Sequence, residues 1–171
     1  MQAVVSVDIG SRPGKAVAAL MSDDGSRLRI EEFVVGDGDH RRFAERVVEL
    51  AKSARAAVVV ESQFIRHPQA AIALIEARMW IKVLAALAGV EYSEAHASTW
   101  QSVILRMSKT PKRKGNTKER ASEAARRIWP CLEMNEDHTD AVLIGLWWLR
   151  FRGARRSPSS SARPSRSRPR S

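Results

Sequence analysis

The chain has 171 residues, a single cysteine and a formal net charge of +10 at pH 7. This length fits one domain with a buried core, and the lone cysteine excludes an internal disulfide and favours a reducing, cytoplasmic compartment. The sequence contains no apolar run of roughly 20 residues that could span a membrane and no signal-peptide pattern at its start, so a soluble protein is expected.

The first third of the sequence predicts four strands. Residues 3–9, 16–21 and 28–35 are apolar runs separated by turn-forming residues, which is typical of an antiparallel meander. Apolar residues then recur at helical spacing over residues 43–51, ahead of a fourth strand at 57–60. This helix is the crossover expected between two parallel strands.

The rest of the domain is predicted to be mainly helical. A long alanine-rich helix is expected over residues 68–88 and a fifth strand over 90–95, followed by helices at 98–105, at 118–129 and from Asp137 onwards. The order of elements predicts an α/β fold. Its five-stranded mixed sheet has three antiparallel strands, then two parallel ones, with helices on both faces.

The positive charge is concentrated in two segments. Residues 106–127 hold nine basic residues against two acids, and residues 150–171 hold eight arginines and no acid. Both segments would attract a polyanion. We predict one domain over residues 1–152 and a disordered Arg/Ser/Pro-rich tail over 153–171, which is either a nonspecific DNA tether or a solubilising end.

Four acids stand out by position. Asp8 and Glu61 end two apolar runs, and Asp137 and Asp140 open the last helix. A buried acid at a strand end requires a cleft or a cation, and the C-terminal ends of parallel strands lie side by side. The spacing of three puts the two aspartates on one side of a helix, and both are expected in its first turn, so all four acids are expected to share one site.

Such a site would favour divalent cations. Clustered carboxylates repel one another and raise each other's pKa values, and Mg²⁺, or alternatively Mn²⁺, would offset that cost. Two ions per site could hold a phosphodiester for in-line hydrolysis. The simpler interpretations are a turn residue for Asp8, a helix N-cap for Asp137 and an ordinary first-turn acid for Asp140. His138 is expected to be exposed, with a metal or phosphate role left open.

The sequence resembles the RuvC-type Holliday-junction resolvases in four ordered segments. Residues 8–12 resemble their opening strand and turn, residues 61–64 their second catalytic strand end, residues 69–78 the helix that follows, and residues 137–141 their final Asp-x-x-Asp-Ala. The resemblance covers roughly residues 3–150 and implies a ribonuclease H-like fold, as in the cellular enzymes or a phage member.

The same resemblance implies a function. It implies a homodimer through the helix at 68–88 that binds a four-way DNA junction and nicks two strands symmetrically. Its catalytic and metal-binding residues would be Asp8, Glu61, Asp137 and Asp140, with two Mg²⁺ ions. Phe64 matches an aromatic residue that stacks on junction bases, although a core position is an equal alternative.

The candidate DNA contacts lie in the first basic segment. Lys118 and Arg120 are candidates for phosphate contact, with Lys112, Arg113 and Lys114 behind them. Two other functions stay open at this point. One is a related nuclease acting on RNA or other branched DNA, and the other is a non-enzymatic DNA-binding protein whose affinity lies in the arginine tail.

Overall fold

The computed structural model describes residues 2–9, 14–35, 39–62, 68–107 and 117–156. Within these residues the elements follow the predicted order: β1 (Val4–Ile9), β2 (Gly14–Met21), β3 (Leu28–Val35), α1 (His40–Ala54), β4 (Ala57–Ser62), α2 (Pro68–Leu87), β5 (Tyr92–His96), α3 (Ala97–Met107), α4 (Thr117–Ile128) and α5 (Glu136–Arg156). No helix in this part of the chain is both long enough and apolar enough to cross a membrane.

The last helix is longer than predicted. α5 continues to Arg156, four residues into the segment predicted to be a tail. An alanine and two arginines follow Gly153, and they can extend a helix that is already held by packing. The remainder of the predicted tail lies outside the described residues.

The five strands form one mixed sheet in the order β3-β2-β1-β4-β5. β1 pairs with β2 and β2 with β3 in antiparallel fashion, whereas β1–β4 and β4–β5 are parallel. The predicted fold class is therefore confirmed. In the parallel pair Val7 lies opposite Val60, so the next residues, Asp8 and Glu61, lie side by side one residue before each strand ends.

Helices cover both faces of this sheet, because alternate strand residues point to opposite sides. The face that carries Val5 and Val7 packs against α1 and α2. The face that carries Val4 and Val59 packs against α3, α4 and α5. By this alternation Asp8 and Glu61 belong to the second face, beneath α5.

A glycine brings α5 into close contact with β1. A Cβ placed on Gly145 would lie 2.7 Å from the Ser6 Oγ, which itself donates a hydrogen bond of 3.2 Å to the Ala19 carbonyl oxygen. Asp140 precedes Gly145 by about 7.5 Å along the helix axis, and Asp8 follows Ser6 by about 6.6 Å along the strand. Because the charge of Asp140 also acts on Asp8, α5 runs antiparallel to β1, and the start of the helix lies over the end of the strand.

Candidate active site

The two strand acids form a buried pair. Asp8 is 4% exposed and Glu61 is 6% exposed. Their carboxyl groups share a hydrogen bond, which requires a proton on one of them. Burial raises the pKa of Asp8 well above its usual value, and the negative charges of Glu61, Asp140 and Asp137 raise it further.

The two helix acids complete the cluster. Asp137 and Asp140 are half-buried near the start of α5. Burial and then the charge of Glu61 raise the pKa of Asp140 to about 7, while the positive charge of Lys118 opposes this shift. The structure thus brings the four acids into electrostatic contact. Their catalytic and metal-binding roles stay predictions.

The start of α5 differs from the sequence-based expectation. The Asn135 Oδ1 accepts a hydrogen bond of 2.8 Å from the backbone N–H of His138, which is the geometry of an N-cap. Asn135, and not Asp137, therefore caps the helix. Asp140 lies in the second turn rather than the first, since the first-turn acids are Glu136 and Asp137. The spacing of three still keeps Asp137 and Asp140 on one side of the helix.

His138 was expected to be exposed, but its side chain is only 18% exposed. Its Nε2 lies 2.5 Å from the Glu32 Oε1 on the edge strand β3. The Asn135 Nδ2 lies 3.3 Å from the same Nε2. These contacts join the first turn of α5 to a strand more than 100 residues earlier, and so help to fix where Asp137 lies.

Lys118 is the basic residue that the structure places next to the acids. Its Nζ lies 2.6 Å from the Glu136 Oε2, and both side chains are exposed. The hydrogen bond to Glu136 raises the pKa of Lys118, and the negative charges of Glu136, Asp140 and Asp137 raise it as well. Lys118 therefore lies at the rim of the acidic cluster with its charge already paired.

The other predicted DNA contacts are less defined. Arg120 is half-buried on α4, and its Nε is buried without a hydrogen-bond partner in the described part of the chain. Phe64, Lys112, Arg113 and Lys114 lie outside the described residues.

Two site neighbours were missed at the sequence level. Trp100 is fully buried, and its Nε1 donates a hydrogen bond of 2.9 Å to the Glu61 Oε1. On the opposite face, Arg78 donates a hydrogen bond of 3.1 Å from Nη1 to the Ser62 Oγ, one residue after Glu61. A tryptophan just after a strand was a usable signal, because a buried indole N–H usually finds a partner.

The acidic cluster fits divalent cations in its chemistry. Four carboxylates supply hard oxygen ligands and a concentration of negative charge that cations would neutralise. Within the described residues, however, no group of three Asp, Glu, His or Cys side chains has the geometry of a metal site as it stands. Burial and the neighbouring acids raise the pKa of Asp8, and its side chain forms a hydrogen bond with Glu61.

Comparison with known proteins gives structural matches only. No protein-family model matches the sequence, and no curated protein matches it. The structure of Thermus thermophilus RuvC matches with a TM-score of 0.69 and 21% identity, covering 90% of this chain and 97% of that one. T. thermophilus RuvC in complex with a Holliday junction substrate matches with a TM-score of 0.67 and 20% identity. The alignment covers 90% of this chain and 96% of that one.

A third match is the fowlpox virus resolvase in complex with substrate Holliday junction DNA. Its TM-score is 0.50 at 13% identity, and the alignment covers 88% of this chain and 98% of that one. At these identities the likeness shows a shared fold. The chain has the ribonuclease H-like fold of the RuvC-type resolvases, as the sequence resemblance implied.

Proposed function

We propose that this chain is a metal-dependent, structure-selective endonuclease that resolves four-way DNA junctions by paired phosphodiester hydrolysis. The observation that carries the proposal is the convergence of Asp8, Glu61, Asp137 and Asp140, which come from two strands and one helix. The fold supports it, because structures with the same fold include RuvC bound to a Holliday junction substrate.

The four acids would hold Mg²⁺, or Mn²⁺, with two ions in each site. When bound, such ions supply charge neutralisation and Lewis acidity that the side chains lack. The side chains have their own tasks. Asp8 and Asp140 must give up their protons to act as ligands, and the Asp8–Glu61 hydrogen bond must open.

Phosphate recognition would begin with Lys118. Its ammonium group lies at the rim of the acids and pairs with the exposed Glu136, so a DNA phosphate could replace that carboxylate at low cost. Arg120, on the same helix, would add a second positive charge. Phe64, Lys112, Arg113 and Lys114 remain candidates from the sequence alone, and the arginines of the tail would strengthen binding without selecting a base sequence.

We further propose that the protein is a homodimer through α2. One side of this helix, which carries Leu74, Ala77, Ile81 and Ala85, is buried. The first three of these residues belong to the core cluster formed with α1 and the sheet. The opposite side is also apolar but exposed, with exposed fractions between 43% and 79%: Ile72, Ile75, Met79, Val83 and Leu87. A stripe of five large apolar residues along about 22 Å of helix favours contact with a second copy.

The decisive test is cleavage of a synthetic four-way junction in Mg²⁺, with linear duplex of the same sequence as the comparison substrate. Wild-type protein should nick the junction at two symmetric positions and leave the duplex intact. Asp8→Asn and Glu61→Gln should bind the junction but not cut it. Asp39→Asn, which changes an exposed aspartate at the start of α1, serves as the matched control and should cut normally.

Other outcomes would select the alternative functions. Cleavage of branched RNA or flap DNA in preference to the four-way junction would point to a related nuclease with another substrate. Junction binding that survives removal of all four acids, with no nicking at any Mg²⁺ or Mn²⁺ concentration, would leave a non-enzymatic DNA-binding protein.

A further inference from the structure

A buried tryptophan lies behind one of the four acids. Trp100 is in the first turn of α3, which begins directly after β5 ends at His96. β5 pairs with β4 so that Ala95 lies opposite Glu61. The chain therefore returns past Glu61 one turn later, which places the indole beside the carboxyl group. The Nε1 to Oε1 distance is 2.9 Å, a normal hydrogen bond.

This hydrogen bond restrains the carboxyl group of Glu61 through its Oε1. An indole N–H can only donate, so it holds Oε1 in place whether the carboxyl group is charged or neutral. The carboxyl group also shares a hydrogen bond with Asp8. Because Trp100 is fully buried, with an exposed fraction of 0%, solvent does not compete for its N–H.

The indole itself is held firmly. Trp100 belongs to the core cluster formed by α3, α4, α5 and one face of the sheet, together with Ile104 and Leu143. A large side chain packed on all sides has little rotational freedom, so the direction of its N–H is fixed by the core. Glu61 thus receives its orientation from residues that never reach the site.

We propose that Trp100 is a positioning residue that holds Glu61, through its Oε1, in the orientation in which the carboxylate would bind a cation. This inference rests on the proposed function, since it assigns Glu61 to the metal site. Partners of this kind orient the ligand before the ion arrives, and their loss typically weakens metal binding without removing a ligand.

The test is calorimetric titration of the full-length protein with Mn²⁺ in the absence of DNA. Trp100→Phe keeps an aromatic ring and removes the donor. We expect it to weaken Mn²⁺ binding about tenfold, while junction binding in EDTA stays at the wild-type level. Trp147→Phe is the matched control, because Trp147 is buried in the same core cluster and stacks on Phe151. It should bind Mn²⁺ like the wild type.

Nuclease activity provides a second measurement. The nicking rate of Trp100→Phe should fall at limiting Mg²⁺ and return to near the wild-type rate at saturating Mg²⁺, since only metal occupancy is affected. A merely structural role would lower the rate at every Mg²⁺ concentration. Equal Mn²⁺ affinities for wild type, Trp100→Phe and Trp147→Phe would overturn the proposal.

The wild-type protein allows a test that does not depend on the folding of Trp100→Phe. Its five tryptophans give five indole N–H signals in a ¹⁵N-correlated spectrum. One signal should move on Glu61→Gln substitution, and the same signal should move on Mg²⁺ titration. If no indole signal responds to both changes, the inference is wrong. If the protein binds metal as expected but does not cut DNA, the proposed function fails while the role of Trp100 stands.

Discussion

The two faces of the sheet differ in chemistry at the same strand ends. On the face covered by α3, α4 and α5, β1 and β4 carry Asp8 and Glu61 at their second-to-last positions. On the face covered by α1 and α2, the neighbouring residues Ile9 and Val60 are apolar and buried. A shift of one residue along a strand therefore separates an acidic site from an apolar core.

The helices that cover the two faces of the sheet also differ in polarity. α5 places polar first-turn residues over the acidic edge, whereas α2 is apolar on the side that meets the sheet and also on the exposed side. In the described part of the chain, the proposed catalytic and dimer surfaces thus lie on opposite faces of the sheet. Substitutions on one face should leave the other function intact, because distant sites without shared partners act independently.

The largest expected effect is on the acidic face. Asp8→Asn should lower the nicking rate by roughly 10³-fold or more, since it removes a charged ligand of the proposed site. The variant should be at least as stable as the wild type in EDTA at pH 7.5, because burial and three neighbouring acids oppose the charge of Asp8. Junction nicking and thermal unfolding measure the two effects. A large loss of stability would mean that Asp8 is a structural residue.

The second effect is the pH dependence of stability without divalent cations. Asp140 has a pKa of about 7 in the folded protein and about 4 when unfolded. Between these values the folded state binds more protons, so the free energy of unfolding should decrease as pH rises from about 4 to about 7. Asp140 alone contributes at most about 4 kcal/mol to this decrease.

Urea unfolding in EDTA at pH 5 and pH 7.5 measures this slope. Asp140→Asn should make this slope shallower. Mg²⁺ should raise the stability of the wild type at pH 7.5, because it binds only the folded state. Equal slopes for the wild type and Asp140→Asn would show that burial and the neighbouring acids do not raise the pKa of Asp140 in solution.

The third effect is on the α2 face. Met79→Glu places a charge in the middle of the exposed apolar stripe, and we expect the dimer dissociation constant to rise about 100-fold because that charge would be buried without a partner. Sedimentation velocity over a concentration series measures it. Arg126→Glu reverses an exposed charge on α4, on the opposite face of the sheet, and should leave the dimer intact. If Met79→Glu dimerises like the wild type, another surface forms the dimer.

The sequence predicted the structural features that depend on local patterns of apolar, turn-forming and acidic residues. Apolar runs and turn residues placed the five strands, and acids at strand ends marked Asp8 and Glu61 because a buried carboxyl group is costly. The helical spacing of the sequence marks one apolar face of α2: Ile72, Ile75, Met79, Val83 and Leu87. That a second side, with Leu74 and Ile81, packs inward follows only from tertiary contacts. The contacts of His138 with Glu32 and of Trp100 with Glu61 join residues more than 30 positions apart, and no periodicity reports such pairs.

The fourth effect concerns the packing contact between β1 and α5. Gly145→Ala would place a Cβ 2.7 Å from the Ser6 Oγ and 3.3 Å from the Ser6 Cβ. The clash should destabilise the fold by about 1–3 kcal/mol, partly offset by the roughly 1 kcal/mol by which alanine favours a helix. Chemical denaturation measures it, and adding Ser6→Ala should recover part of the loss. A Gly145→Ala variant that is more stable than the wild type would contradict the close packing of α5 on β1.

The smallest expected effect is at the rim of the acidic cluster. Glu136→Gln removes the exposed partner of Lys118 and should change stability by less than about 1 kcal/mol. It should also lower the pKa of Lys118 and of Asp140, since the charge of Glu136 raises both. If Glu136 competes with DNA phosphate for Lys118, the variant should bind the junction more tightly, and Lys118→Gln should remove that gain. Unchanged junction affinity in Glu136→Gln would place Lys118 outside the DNA contact and leave phosphate recognition to Arg120 and the basic segment before α4.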